Sequence, residues 1–198
     1  MTDLTLLHTA QVHCTTFDRL APQVDLHHVV RPDWLARAQN GIDDRLAVEI
    51  AAAVKVAEGP VLCSCTTIGA VAEAAGAIRI DWPMMQQAAT IGGPVLLVYC
   101  LDSTAQPSQA LLQRAFGHSD PQLTCLRLAQ HWPLFEASEI ETFNHAVAAD
   151  IEQALTQNRY GCVVLAQASM AGAAKVIQTD VPVLTSPEIA VQALLPAP

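Results

Sequence analysis

Val61-Leu62-Cys63-Ser64-Cys65-Thr66-Thr67-Ile68-Gly69 passes from an apolar, strand-like triplet through small polar residues into a segment of helical character. A cysteine placed where a strand gives way to a helix has backbone N–H groups aimed at it. Those donors and the helix dipole favour a thiolate, and the same amides suit a carboxylate. Cys63 still belongs to the strand, whereas Cys65 opens the turn. Cys65 is therefore the candidate working thiol, with Thr66 and Thr67 as candidate substrate-binding hydroxyls. The same succession of strand, small polar turn and helix recurs in Val163-Val164-Leu165-Ala166-Gln167-Ala168-Ser169-Met170-Ala171.

Around these two stretches, short apolar runs alternate with longer alanine-rich segments. The spacing predicts strands over 4–7, 61–63, 94–100, 123–126, 162–166 and 183–184. It predicts helices over 45–58, 68–75, 83–91, 108–115, 139–157, 170–177 and 186–194. Continuous apolar strands followed by helices are the pattern of a mostly parallel sheet covered on both faces. The punctuation agrees: Gly59-Pro60 separates the first long helix from the next strand, and Pro187 follows Ser186 at a helix start. Gly92-Gly93 is the only glycine pair in the chain and marks the break between halves. The reading is an α/β chain of two lobes, 1–93 and 94–180, facing one cleft at the carboxyl ends of their strands.

Composition narrows the function classes. The 198 residues are 52% hydrophobic and only 15% charged, which suits buried sheets and argues against intrinsic disorder. The net charge is −9, with Lys55 and Lys175 the only lysines and no basic stripe, so a nucleic-acid backbone is not an expected partner. No apolar run reaches the length that spans a bilayer, and Met1-Thr2-Asp3-Leu4 lacks the basic region of a signal peptide. A cytoplasmic protein with reduced cysteines is expected, with no membrane partner. Gly-x-Gly-x-x-Gly, P-loop and Gly-x-Ser-x-Gly patterns are absent, which argues against nucleotide cofactors and a serine nucleophile.

Other polar residues fall at predicted strand ends, where a parallel sheet places its ligands. His8 and Thr9 end the first strand, and Ser103 and Thr104 follow the first strand of the second half. All four are candidate substrate-binding residues. Adjacent His27 and His28 face opposite ways on a strand, so a metal shared between them is not expected. Cys63-x-Cys65 is not a zinc spacing either. No metal and no cofactor are expected.

These motifs, in this order along essentially the whole chain, resemble the aspartate/glutamate racemase superfamily, which includes hydantoin racemases, maleate isomerases and arylmalonate decarboxylases. The resemblance rests on the Cys65 turn and on Arg79-Ile80-Asp81-Trp82-Pro83-Met84 before the lobe boundary. It rests also on Tyr99-Cys100-Leu101-Asp102-Ser103-Thr104, the Gln167 turn and Val181-Pro182-Val183-Leu184-Thr185-Ser186-Pro187. It implies two pseudo-symmetric three-layer lobes with parallel sheets facing a central cleft, and a carboxy-terminal segment, 181–198, returning to the first lobe. It implies a cofactor-independent isomerase acting next to a carboxylate in a small amino-acid-like or dicarboxylic substrate, in a chain that often pairs as a homodimer. Racemases of this kind flank the substrate carbon with one cysteine from each lobe. Cys65 matches the first, but Gln167 stands at the second, and an amide has no useful basicity. One catalytic thiol is therefore expected, with Gln167 and Ser169 as polar contacts from the facing lobe. The alternatives are a one-sided decarboxylase and a ligand-binding protein without racemase activity.

Overall fold

The structure, a computed structural model, describes residues 4–119 and 121–194. Residues 196–198, a proline-bracketed tail expected to fray, lie outside them. The first sheet is formed by β1 (Leu4–His8), β2 (Leu26–Val30), β3 (Val61–Cys63) and β4 (Ile78–Arg79) in the order β2-β1-β3-β4. The second is formed by β5 (Val95–Tyr99), β6 (Leu123–Arg127), β7 (Cys162–Leu165) and β8 (Val183–Thr185) in the order β6-β5-β7-β8. Every pairing is parallel. The central strands β1, β3, β5 and β7 are buried along their whole length, as helices on both faces require. The α/β class and the two pseudo-symmetric parallel sheets are as the sequence predicts.

Helices connect the strands: α1 (Val12–Leu20), α2 (Pro32–Ala38), α3 (Asp44–Val56), α4 (Thr66–Ala74) and α5 (Trp82–Ile91) in the first half. The second half carries α6 (Asp102–Phe116), α7 (Trp132–Glu136), α8 (Ile140–Gln157) and α9 (Ser186–Leu194). The long α3 shows why these segments are helical. Asp43 caps it by accepting from the Leu46 N–H at 2.7 Å, and Leu46, Ile50 and Val54 recur at i+4 to make one buried stripe.

The two halves exchange their last helices. Met84, Met85 and Ala88 of α5 join the core formed by Val95, Leu97, Val164 and Leu184 of the second sheet. Ala190 of α9 joins Leu4, Leu6, Phe17, Leu62 and Ile80 under the first. Burying each methionine stabilises the joint by roughly 1.5–3 kcal/mol. The segment after residue 180 is thus divided: β8 completes the second sheet, and α9 alone packs on the first. At the joint, a Cβ on Gly161 would collide with the Gly92 carbonyl oxygen, so only glycine lets these two backbones approach.

Two helix readings change. The segment 170–177 is not an α-helix; short 3-10 turns at Ala168–Met170 and Ala173–Lys175 replace it. Met170, Ala173 and Ile177 pack into the core under α8, and Gly172 is pressed against the Asn144 side chain, so packing overrides alanine propensity there. The helix read as beginning at 108 begins at Asp102, with Pro107 inside it. In the second turn that proline forgoes only the bond to the Ser103 carbonyl. Among the described residues no helix is long and apolar enough to cross a membrane.

Candidate active site

The two turns singled out in the sequence occupy equivalent backbone positions. The Ser64 N–H donates to the Leu7 carbonyl at 3.0 Å, and the Ala166 N–H donates to the Val98 carbonyl at 2.9 Å. Each bond ties the end of one central strand to the next, so Cys65 and Gln167 are counterparts, one per lobe. Between them lies a cleft of about 460 Å³.

Cys65 is the N-cap of α4 and is half-buried. The Thr9 and Thr67 hydroxyls and the Thr67 and Ile68 backbone N–H groups lie around its sulfur, where they favour its anion. The Thr67 hydroxyl stands 3.2 Å from Ser103 Oγ and shares a hydrogen bond with it. Burial still pushes the thiol above its ordinary range, and these four donors reduce the rise without reversing it. The resting group is a thiol poised among donors that stabilise its anion. Its neighbour Cys63 is fully desolvated inside the core, and burial takes Cys100 up to about 12 and Cys162 to about 11.

Gln167 is held differently. Its Oε1 accepts from the Cys100 N–H at 2.6 Å and from the Leu101 N–H at 3.1 Å. The carbonyl end is therefore committed to the β5–α6 turn, and the amide Nε2 is the end left for the cleft. Across the floor, the Thr66 hydroxyl donates to the Ala166 carbonyl at 3.0 Å and ties the two turns together. The N-terminus of α4 is braced from below by a buried bidentate pair, Arg79 to Asp81 at 2.9 and 2.8 Å. Gly69 makes room for it: a Cβ there would stand 3.0 Å from Arg79 Nε.

Thr9, Cys65, Thr66, Thr67, Thr104, Gln167 and Ser169 all border the cleft, and the buried Ser169 Oγ has no partner among the described residues. Two expected contacts do not border it. Ser103 acts through Thr67, and it lines a neighbouring cavity with Arg127 and Asn40. His8 is 1% exposed and turned away, with its Nδ1 2.7 Å from Ser64 Oγ and its Nε2 2.9 Å from His28 Nδ1. Alternation at the strand end explains the placement: His8 faces α1, and the next residue, Thr9, is the one that borders the cleft.

Sequence reasoning missed the walls. Leu35 and Ala36 of α2, Trp132, Phe135 and Glu136 of α7, and His13 of α1 all border the cleft. Burial holds the His13 imidazole neutral, with its pKa lowered to about 4. No lysine or arginine is among the bordering residues, so a carboxylate there meets uncharged donors: backbone amides, hydroxyls and glutamine side-chain amides. The signal that could have found these walls is the pair of Pro-started segments at Pro32 and Pro133, each following an outer strand.

Superposition on solved structures gives the fold its relatives. The chain aligns over 97% of its length with a glutamate racemase from Bacillus anthracis, covering 80% of that chain at a TM-score of 0.68 and 14% identity. An allantoin racemase from Klebsiella pneumoniae aligns over 98% of this chain and 86% of its own, at a TM-score of 0.66 and 17% identity. The fold is that of the racemases. An aspartate racemase from Picrophilus torridus, at a TM-score of 0.62 and 12% identity, covers 98% of this chain and 94% of its own. No family profile and no curated protein matches the sequence. Within the racemase fold, the cleft between the two sheets is where the Cys65 and Gln167 turns meet.

Proposed function

We propose that the protein is a cofactor-independent, racemase-like isomerase that exchanges a proton at the carbon next to a carboxylate, with Cys65 as the catalytic thiol. The observation that carries this reading is the set of four donors around the Cys65 sulfur at the mouth of α4. In the forward step Cys65 first loses its thiol proton to solvent; the thiolate then takes the substrate proton, the C–H electron pair passes into an enediolate, and the sulfur becomes S–H again. The α4 amides and the Thr9 and Thr67 hydroxyls would hold the carboxylate as its charge spreads, while the Thr66 hydroxyl stays bonded to the Ala166 carbonyl. Gln167 Nε2 would donate to the substrate from the opposite lobe. The proton for the opposite face comes from solvent, which reaches the cleft between the lobes.

The wall also supports a substrate class. A second carboxylate would find no cation among the bordering residues, whereas Leu35, Trp132, Phe135 and Ile140 offer apolar surface. The favoured substrate has one carboxylate, or a neutral cyclic equivalent, and an apolar side chain.

A second reading is a one-sided decarboxylase. The raised Cys65 thiol and the amide at Gln167 favour it, because a protonated thiol facing an inert amide is suited to delivering one proton to one face. There the bond to the departing carboxylate breaks, its electrons stay on carbon, CO2 leaves and Cys65 supplies the proton. Incubation with apolar-side-chain amino acids, hydantoins and disubstituted malonates in deuterated water separates the readings. Deuterium entering without loss of CO2 supports the isomerase, CO2 release supports the decarboxylase, and neither means that the cleft only binds.

A further inference from the structure

Behind the α1 wall of the cleft lies the densest group of metal-ligating side chains among the described residues. His8 ends β1, His28 lies on the adjacent β2, and Cys14 lies on α1, which covers both strands. One ligand atom from each lies within 4.8 Å of the other two. We infer that His8 Nε2, His28 Nδ1 and Cys14 Sγ form a three-ligand site for a zinc-class divalent cation, with the fourth position open to water.

The surrounding shell supports the assignment more strongly than the cluster itself. Ligating imidazoles need their second ring nitrogen anchored so that the correct lone pair faces the metal. Ser64 Oγ donates to the Leu7 carbonyl at 3.1 Å, which leaves it as the acceptor for His8 Nδ1–H at 2.7 Å. That arrangement turns the lone pair of His8 Nε2 toward the cluster. Asp18 Oδ1 accepts from His28 Nε2–H at 3.0 Å, the carboxylate-histidine arrangement common behind zinc ligands. The Gln11 amide donates to Cys14 Sγ at 3.4 Å, a contact that favours the thiolate.

The two imidazole nitrogens need little movement. Zn–N bonds of about 2.0–2.1 Å at a tetrahedral angle set two ligating nitrogens roughly 3.3 Å apart. His8 Nε2 and His28 Nδ1 stand 2.9 Å apart. Binding places the ion between the two facing lone pairs, displaces the Cys14 thiol proton to solvent, and separates the rings by a few tenths of an ångström. Mixed nitrogen and sulfur donors select zinc over magnesium or calcium. The exposed Asp18 and half-buried His28 mark the way in from the surface of α1. A bound ion would clamp α1 to β1 and β2, and through His8 and Ser64 it would fix the turn that ends in Cys65. The site stands whether or not the catalytic reading holds.

The test uses the full-length protein freed of metal by chelation and titrated with zinc chloride and with cobalt(II) chloride. We expect one equivalent to bind and cobalt to produce near-ultraviolet thiolate-to-metal charge-transfer absorption. Cys14→Ser should remove that absorption. His28→Gln should weaken binding at least tenfold and Asp18→Asn about tenfold, with unchanged circular dichroism reporting that each variant folds. Absence of saturable binding by the wild-type protein overturns the inference. So does binding that survives His28→Gln and Cys14→Ser unchanged.

Discussion

The turns at Cys65 and Gln167 share a backbone design and open into different structures. After Cys65 the chain enters the nine-residue α4, whose free N–H groups converge on the sulfur. After Gln167 it enters only a 3-10 turn, Ala168–Met170, and the side chain bonds backward to Cys100 and Leu101. One turn concentrates donors on a nucleophile, and the other uses its polar group to hold the β5–α6 loop. The pseudo-symmetry of the fold therefore does not extend to its chemistry, which is loaded onto the first lobe.

Breaking the loaded side should have the largest effect. Cys65→Ser keeps the shape of the turn, so circular dichroism should not change, while turnover should fall by about 10²–10⁴-fold, the usual worth of a positioned acid or base. The brace under that turn comes next. Asp81→Ala leaves the Arg79 guanidinium buried without its partner, and urea unfolding should show a loss of about 3–5 kcal/mol. By contrast, removing the exposed Arg114–Glu73 pair should change stability by about 0–1 kcal/mol.

The Gln167 turn should respond in stability first. Gln167→Ala orphans the Cys100 and Leu101 N–H groups and should cost about 1–3 kcal/mol in urea unfolding, with Gln167→Glu recovering much of it because an acceptor remains. Gln167→Cys sharpens the comparison: it loses the same acceptor but places a second thiol opposite Cys65, and deuterium exchange should then run at both faces of the substrate carbon. The smallest effect is expected at the contact between the turns, where Thr66→Val should cost about 0.5–1.5 kcal/mol.

Much of this asymmetry is legible in the sequence. The apolar runs of β1, β3, β5 and β7 and the residue types at 65 and 167 place the sheets and both turns. The outer strands are less legible: β2 is half polar with His27 and His28, and β4 has only two residues, too few for a pattern. Short α2 begins at Pro32 and α7 has Pro133 as its second residue, and each proline reads equally as a break, so the apolar walls of the cleft stay hidden. The His8–His28–Cys14 group is invisible because it is assembled across two strands and a helix. Considering His27 and His28 as neighbours in sequence overlooked the partner that His28 meets in space. Acidification of Cys65, the natural expectation for a helix N-terminus, is outweighed by burial, which a sequence does not display.

The central claim is that Cys65 sits in a carboxylate-binding turn, and competitive alkylation tests it most directly. Iodoacetate carries the carboxylate that the turn would bind, whereas iodoacetamide is neutral and of similar size. At limiting reagent, peptide mapping should show that Cys65 prefers iodoacetate while the exposed Cys125 prefers iodoacetamide. The rate at Cys65 should keep climbing as pH rises past the ordinary thiol range, because burial raises that thiol, and a non-reactive carboxylate should protect it. If Cys65 shows the same preference as Cys125 and no protection by carboxylates, the turn does not bind the substrate and the account is wrong.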